Sequence, residues 1–187
     1  MPVHAIICKN NGRVDCIKTP ITVMNPLTSD SADTLGLWDT GATYSCITSD
    51  LANTLNLRPV QKAVLAGIHG AQETNIYWIR VTLDNPNITI PLLASESFDL
   101  SDDHKTGLLI GMDVITQGDF CITNYEGNTV MTFRTPSLET VNYKEEIAEY
   151  NRIMRRYKLR SLLGIEKCPC GSGKLFKNCC FRSKYNI

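Results

Sequence analysis

LWDTGATYSC, residues 37–46, is the stretch whose reading decides the fold. A hydrophobic pair, Leu37 and Trp38, runs into one carboxylate, Asp39, followed by Thr40 and Gly41. Asp-x-Gly is a common turn in which the carboxylate bonds nearby backbone. The same residues open some phosphate loops, and they also present a carboxylate for acid–base chemistry. The tripeptide alone does not choose between these uses, so the rest of the chain has to.

The chain has 187 residues, enough for one well-buried domain and an appendage. Hydrophobic residues make up 43% and charged residues 20%, an ordinary globular balance. The longest apolar runs, such as GLLIGMDVI, are too short to span a bilayer, and no membrane partner is expected. MPVHAIICKNNGR has no basic leader region, so a cytoplasmic protein is expected. The net charge of zero hides a split. Residues 1–140 carry 8 Lys+Arg against 15 Asp+Glu, whereas residues 141–187 carry 11 against 4. Such asymmetry argues for two parts with different partners.

Short runs rich in β-branched residues, 4–8, 14–24 and 35–38, are punctuated by NNG and NPLTSDSAD and read as strands and turns. DLANTLNL, residues 50–57, fits one or two helical turns behind an Asp cap. KAVLAGIHGAQETNIYWIRVTLDN reads as a long hairpin with GIHG at its tip. NITIPLLA is a further strand, LLIGMDVITQGD a buried strand entering a short helix, and CITNYEGNTVMTF a hairpin about a Glu-Gly-Asn turn. The sum is a mostly β domain ending near Pro136. From Tyr143 the period becomes helical, through Ile147, Tyr150, Met154, Tyr157 and Leu162, with Gly164 as the stop. Its glutamates come early and its arginines late, which suits the helix macrodipole.

The phosphate-loop reading, as in actin-like ATPases and sugar kinases, needs two large lobes and a second such loop. Too little chain follows Asp39, and no second Asp-x-Gly-x-Thr/Ser is present. The third reading gathers more residues. LWDTGA, the Gly-rich LAGIHG from Leu65, LLIGMDVITQGD and the closing MTFRTP, in that order, make residues 1–136 resemble the retropepsin-like aspartic proteases. The resemblance implies a mostly β, single-lobed acid protease barrel. It implies Asp39, Thr40 and Gly41 as the catalytic loop and Gly67, Ile68, His69 and Gly70 as the tip of a flap over a peptide substrate. In that family the aspartate faces a second copy of itself. Two carboxylates about 3 Å apart share one proton, one acting as base on a water and the other as acid toward the scissile carbonyl. With one Asp-Thr-Gly per chain, the active site requires a homodimer. Ala42 stands where pepsin-like enzymes often carry Ser; without that hydroxyl a working pH nearer neutral than pepsin's is expected. In retroviral protease the chain ends interleave into a dimer sheet, whereas here the domain runs on into a helix and tail.

The tail reads CPCGSGKLFKNCCFRSK, with Cys168, Cys170, Cys179 and Cys180 in a C-x-C-x8-C-C pattern. Four thiolates suit tetrahedral zinc and leave no open position, so the ion expected is structural Zn2+. GSGK is no Walker loop, because Cys168 stands where the first Gly is needed and Leu175 where Ser or Thr is needed. CPCGSGK and the following Lys-x-Cys-Cys resemble the SEC-C motif. That resemblance implies docking to a chaperone, a ribosome-associated factor or another protein. The lysines and aromatics around it make nucleic acid a second, less favoured partner. The scattered Cys8, Cys16, Cys46 and Cys121 read as small buried hydrophobes.

The division expected is a protease domain over 1–140, an amphipathic helical linker over 141–164 and a zinc-binding motif over 165–187. The function expected is a bacterial-type aspartic endopeptidase with a recruiting tail. The competing reading is a catalytically silent dimer of the same fold serving as a protein- or RNA-binding adaptor.

Overall fold

The computed structural model describes residues 2–67, 70–97, 100, 105–161, 167–168, 172–175 and 178. It divides into two units, Met1–Glu139 and Thr140–Ile187. No helix among the described residues is long and apolar enough to cross a membrane.

The first unit is mostly β. Its strands are β1 His4–Lys9, β2 Ile17–Met24, β3 Ser31–Trp38, β4 Cys46–Thr48, β5 Gln61–Gly67, β6 Gly70–Thr82, β7 Thr89–Ser97, β8 Thr106–Ile110, β9 Asp119–Thr123 and β10 Val130–Thr135. Two short helices, α1 Ser49–Thr54 and α2 Met112–Ile115, follow β4 and β8. One sheet runs β2-β3-β8-β4-β7-β6-β5, and β6 also pairs with β2 through Thr22↔Thr82, Val23↔Val81 and Met24↔Arg80. That last pairing closes six strands into a barrel, with β5 hanging from β6 as the outer arm of a hairpin. A second sheet, β1-β10-β9, lies apart in hydrogen bonding. It shares the core through Ile6, Met131 and Phe133. This is the mostly β barrel expected, followed by a helix.

The strands follow their side-chain patterns. β2 buries Ile17, Thr19, Ile21 and Val23, one face of a period of two. β8 is buried almost throughout, as befits a strand between β3 and β4. The polar stretch at the start of β3 misleads: Ser31 to Asp33, the end of the expected separator NPLTSDSAD, already belong to the strand. Their partners on β2 explain this, since Ser31 lies opposite Met24 and Asp33 opposite Thr22. Thr22 Oγ1 donates to the Asp33 carboxylate at 2.7 Å, so the polar side chains serve the solvent face. The cap of α1 also differs from expectation. Thr48, not an Asp, caps it, its Oγ1 accepting from Leu51 N at 3.3 Å. Asp50 lies in the first turn, where its charge suits the helix dipole.

The hairpin β9–β10 turns through Tyr125–Gly127, with Glu126 and Gly127 both at positive φ, 52° and 79°. Beyond β10 the chain is tied down by Asp119. Its carboxylate accepts from Ser137 Oγ, from Leu138 N at 3.0 Å and from Arg134 Nε at 2.9 Å.

The second unit holds α3, Tyr143–Ser161, with Glu145 and Glu146 in its first turn. Asn142 Oδ1 accepts from Glu145 N at 3.2 Å and caps it. Gly164, the expected stop, lies outside the described residues. Farther on, Lys167 bridges to Leu175, Cys168 N donates to Lys174 O at 2.6 Å, and Gly173 takes φ 71°.

Candidate active site

Asp39 stands where β3 ends. The preceding Trp38 is only 6% exposed, stacks on Phe120 at 5.4 Å between centroids and leans on Phe133 at 5.2 Å. Its Nε1 donates to Thr19 Oγ1 at 3.0 Å, so the large ring is both buried and satisfied. The strand therefore delivers Asp39 from a rigid base. Asp39 N donates to Ile110 O at 3.0 Å, Gly41 N donates to Asp39 Oδ1 at 2.7 Å, and Ala42 N donates to Asp39 O at 3.3 Å. One carboxylate oxygen is thus oriented by its own turn. A Cβ on Gly41 would lie 3.1 Å from that oxygen, which is why glycine suits the position. Asp39 is half-buried, and Thr40 and Gly41 are exposed on the same turn.

The rest of the loop is held from the other side by the Gly111 segment. Met112 N donates to Ala42 O at 2.8 Å and Asp113 N to Thr43 O at 3.2 Å. Ser45, fully buried, donates through N and Oγ to the two Asp113 carboxylate oxygens at 3.0 and 2.7 Å, and its Oγ accepts from Gly111 N at 3.0 Å. A Cβ at Gly111 would sit 2.7 Å from the Tyr44 carbonyl carbon, so the two backbones touch. Sequence reasoning missed Ser45 and Asp113. The signal was present in MD after the Gly of LLIGMD, a carboxylate at a helix start, but its partner lies far away in sequence.

Beside Asp39 the sheet presents a mostly apolar row. Leu37, Leu109, Cys46, Ser95 and Ile76 lie directly opposite one another across β3, β8, β4, β7 and β6. Opposed residues share a face. Leu37, Leu109 and Cys46 are half-buried, whereas Ser95 and Ile76 are covered. Burial pushes the Cys46 thiol up to about 11, and the negative charges of Asp39 and then Asp113 push the same way. Cys46 is therefore a neutral, small apolar lining at physiological pH. Tyr44, 62% exposed, stands on the loop itself.

Of the expected flap, Gly67 and Gly70 end β5 and begin β6 and lie opposite one another. Ile68 and His69, between them, lie outside the described residues. The hairpin is rooted on β7: Thr74 Oγ1 donates to Glu96 O at 2.9 Å and Asn75 Nδ2 to the Glu96 carboxylate at 2.7 Å.

Of the four expected zinc ligands, Cys168 is buried, 4% exposed, and its N donates to Lys174 O. Cys170, Cys179 and Cys180 lie outside the described residues, and no group of metal-ligating side chains occurs among the described ones. The donor chemistry fits zinc: four thiols in a C-x-C-x8-C-C pattern, the described one, Cys168, buried.

Two family models match the chain. Residues 31–100 match the spumavirus aspartic protease family, and residues 166–182 match the SEC-C motif. Among solved structures, a retropepsin-like aspartic protease from Rickettsia conorii is similar at 15% identity, covering 72% of this chain and 94% of that one with a TM-score of 0.46. The protease of simian foamy virus (mac) is similar at 19% identity, over 51% of this chain and 90% of that one, TM-score 0.36. The retroviral protease-like domain of Ddi1 from Leishmania major is similar at 18% identity, over 58% and 82%, TM-score 0.39. The chain thus resembles the retropepsin-like aspartic proteases and carries a SEC-C motif after them.

Proposed function

We propose that this protein is an aspartic endopeptidase whose active site is completed by a second copy of the chain. The observation that carries the reading is the single Asp39 loop, anchored on both sides and presenting one oriented, solvent-reachable carboxylate. In the homodimer the Asp39 of each protomer faces the other across a two-fold axis, and the pair holds one proton. The ionised member takes a proton from a water as that water's oxygen bonds to the scissile carbonyl carbon. The protonated member gives its proton to the carbonyl oxygen, and collapse of the tetrahedral species transfers a proton to the departing nitrogen. The half-buried row Leu37, Leu109 and Cys46 suits apolar side chains of an extended peptide, and the β5–β6 hairpin would serve as the flap over it.

The SEC-C segment would hold structural Zn2+ through Cys168, Cys170, Cys179 and Cys180, which orders a short segment without a core of its own. Its use is recruitment, of a substrate or of a protein partner such as a chaperone or ribosome-associated factor. Cys8, Cys16 and Cys46 carry free thiols, which suits a reducing, cytoplasmic setting.

The test compares wild type with Asp39→Asn on peptide libraries across about pH 4–8. Wild type is expected to cleave and to bind pepstatin-like inhibitors. The variant is expected to lose cleavage while remaining a folded dimer by light scattering. An inert wild type, or cleavage surviving in the variant, would overturn the reading in favour of a silent adaptor.

A further inference from the structure

We propose that Asp113 is a positioning residue for Asp39, acting through Ser45 and the Gly111 turn; the catalytic part of this rests on the protease reading above. The loop from Asp39 to Ser45 has no strand pairing of its own among the described residues. Segment 110–113 holds most of its path, and Ser95 N, donating to Ser45 O at 3.1 Å, ties its end to β7. The bond from Asp39 N to Ile110 O holds its start, those from Met112 N and Asp113 N to Ala42 O and Thr43 O hold its middle, and the Asp113 carboxylate holds its end.

Asp113 is suited to that work because it is a carboxylate and not an amide. Its Oδ1 accepts from Ser45 Oγ at 2.7 Å and from Val114 N at 3.0 Å, and its Oδ2 accepts from Ser45 N at 3.0 Å. All three bonds need acceptors, and an ionised carboxylate offers only acceptors. Bonds to a charged acceptor are also stronger than neutral ones. Because Ser45 spends its hydroxyl proton on Asp113, its oxygen is left facing Gly111 N, which donates to it at 3.0 Å. Ser45 is fully buried, so losing this partner leaves a polar group without water to replace it. Gly111 in turn has no room for a side chain, its would-be Cβ lying 2.7 Å from the Tyr44 carbonyl carbon and 3.0 Å from Ala42 O. Asp113, Ser45 and Gly111 therefore form one lock on the loop that carries Asp39, without any of them needing to touch a substrate.

Removing the lock should misplace Asp39 while leaving the barrel folded, because the pairings of β2 with β3 and β6 and of β6 with β7 involve neither Ser45 nor Asp113. A displacement of about 1 Å at a reacting group costs on the order of 100-fold in rate. The experiment measures Asp113→Ala, Asp113→Asn and Ser45→Ala in the full-length chain. Cleavage is read per active site titrated with a tight inhibitor, and amide exchange is followed separately in peptides covering 39–46 and 76–82. The expected result for Asp113→Ala is kcat lower by about 10- to 100-fold with KM changed less than about twofold. Exchange in 39–46 should be at least about tenfold faster and that in 76–82 unchanged. Asp113→Asn keeps one acceptor oxygen and should fall between the alanine variant and wild type. A purely structural role would lower the titratable fraction and leave kcat per site intact, and that outcome overturns the proposal. So does wild-type exchange in 39–46 of any of the variants. If wild type and Asp39→Asn both cleave nothing, the protease reading fails, and loop exchange alone decides whether Asp113 holds the loop. Should the alanine variant not fold, Asp113→Asn and Ser45→Ala carry the same comparison.

Discussion

Cys46 and Asp119 both report on charge, in opposite senses. Cys46 lies on the sheet beside two carboxylates, and burial with their charge lifts its thiol from 9.0 to about 11. Because the thiolate is the reactive form, Cys46 should alkylate about tenfold or more slowly than the exposed Cys16 near pH 8. Mass spectrometry after timed iodoacetamide treatment checks this, and equal rates would show that Cys46 does not sense the loop. For Asp119 the bonds from Ser137, then Leu138 N, then Arg134 lower the carboxyl from 3.8 to about 2. A folded value below the unfolded one means that folding favours the ionised form. Its contribution is complete above about pH 4 and is lost as the pH falls through about 2. Asp119→Asn should therefore lower the melting temperature at pH 7, and the gap from wild type should close toward pH 2. A gap independent of pH would assign the effect to packing alone.

At the scale of single elements, α1 offers a clean measurement. Thr48 Oγ1 accepts from Leu51 N, so Thr48→Ala should cost about 1 kcal/mol of stability in denaturant unfolding. Thr48→Ser should recover most of it, and a neutral alanine variant would remove the cap from the account. This cap also shows what was legible and what was not. DLANTLNL marks a helix by composition, but choosing Thr48 over Asp50 as cap needs the backbone path out of β4. The Asp39 loop was legible because Leu37, Trp38, Thr40 and Gly41 announce a strand end and a tight turn locally. Likewise the hairpins at GIHG and YEGN declare themselves through their glycines. The start of β3 was hidden because its polar residues match a linker until Met24 and Thr22 are known to lie opposite. Ser45 and Asp113 were hidden for the same reason, since their bond joins distant parts of the chain. The barrel closure of β2 on β6 leaves no local period to read at all.

Across the whole molecule, the charge split noticed in the sequence follows the division at Glu139 and Thr140. If the tail holds a structural zinc ion as proposed, stripping it should leave the proposed chemistry of the first unit alone. The purified chain is expected to hold about one zinc ion. Chelation should leave cleavage of short peptides and the main melting transition unchanged while abolishing capture of a partner by the tail. Loss of peptide cleavage in step with zinc would tie the ion to the active site instead. The closed barrel has its own consequence for the β5–β6 arm. Within β6, Ile76–Thr82 pair with β7, whereas Gly70–Asn75 make backbone pairs with β5 only. Six strand residues at about 3.4 Å each give an overhang of roughly 20 Å. A lever of that reach is rooted in a ring that does not depend on it. Lengthening or shortening the arm would therefore change its reach without removing a single backbone rung from the barrel.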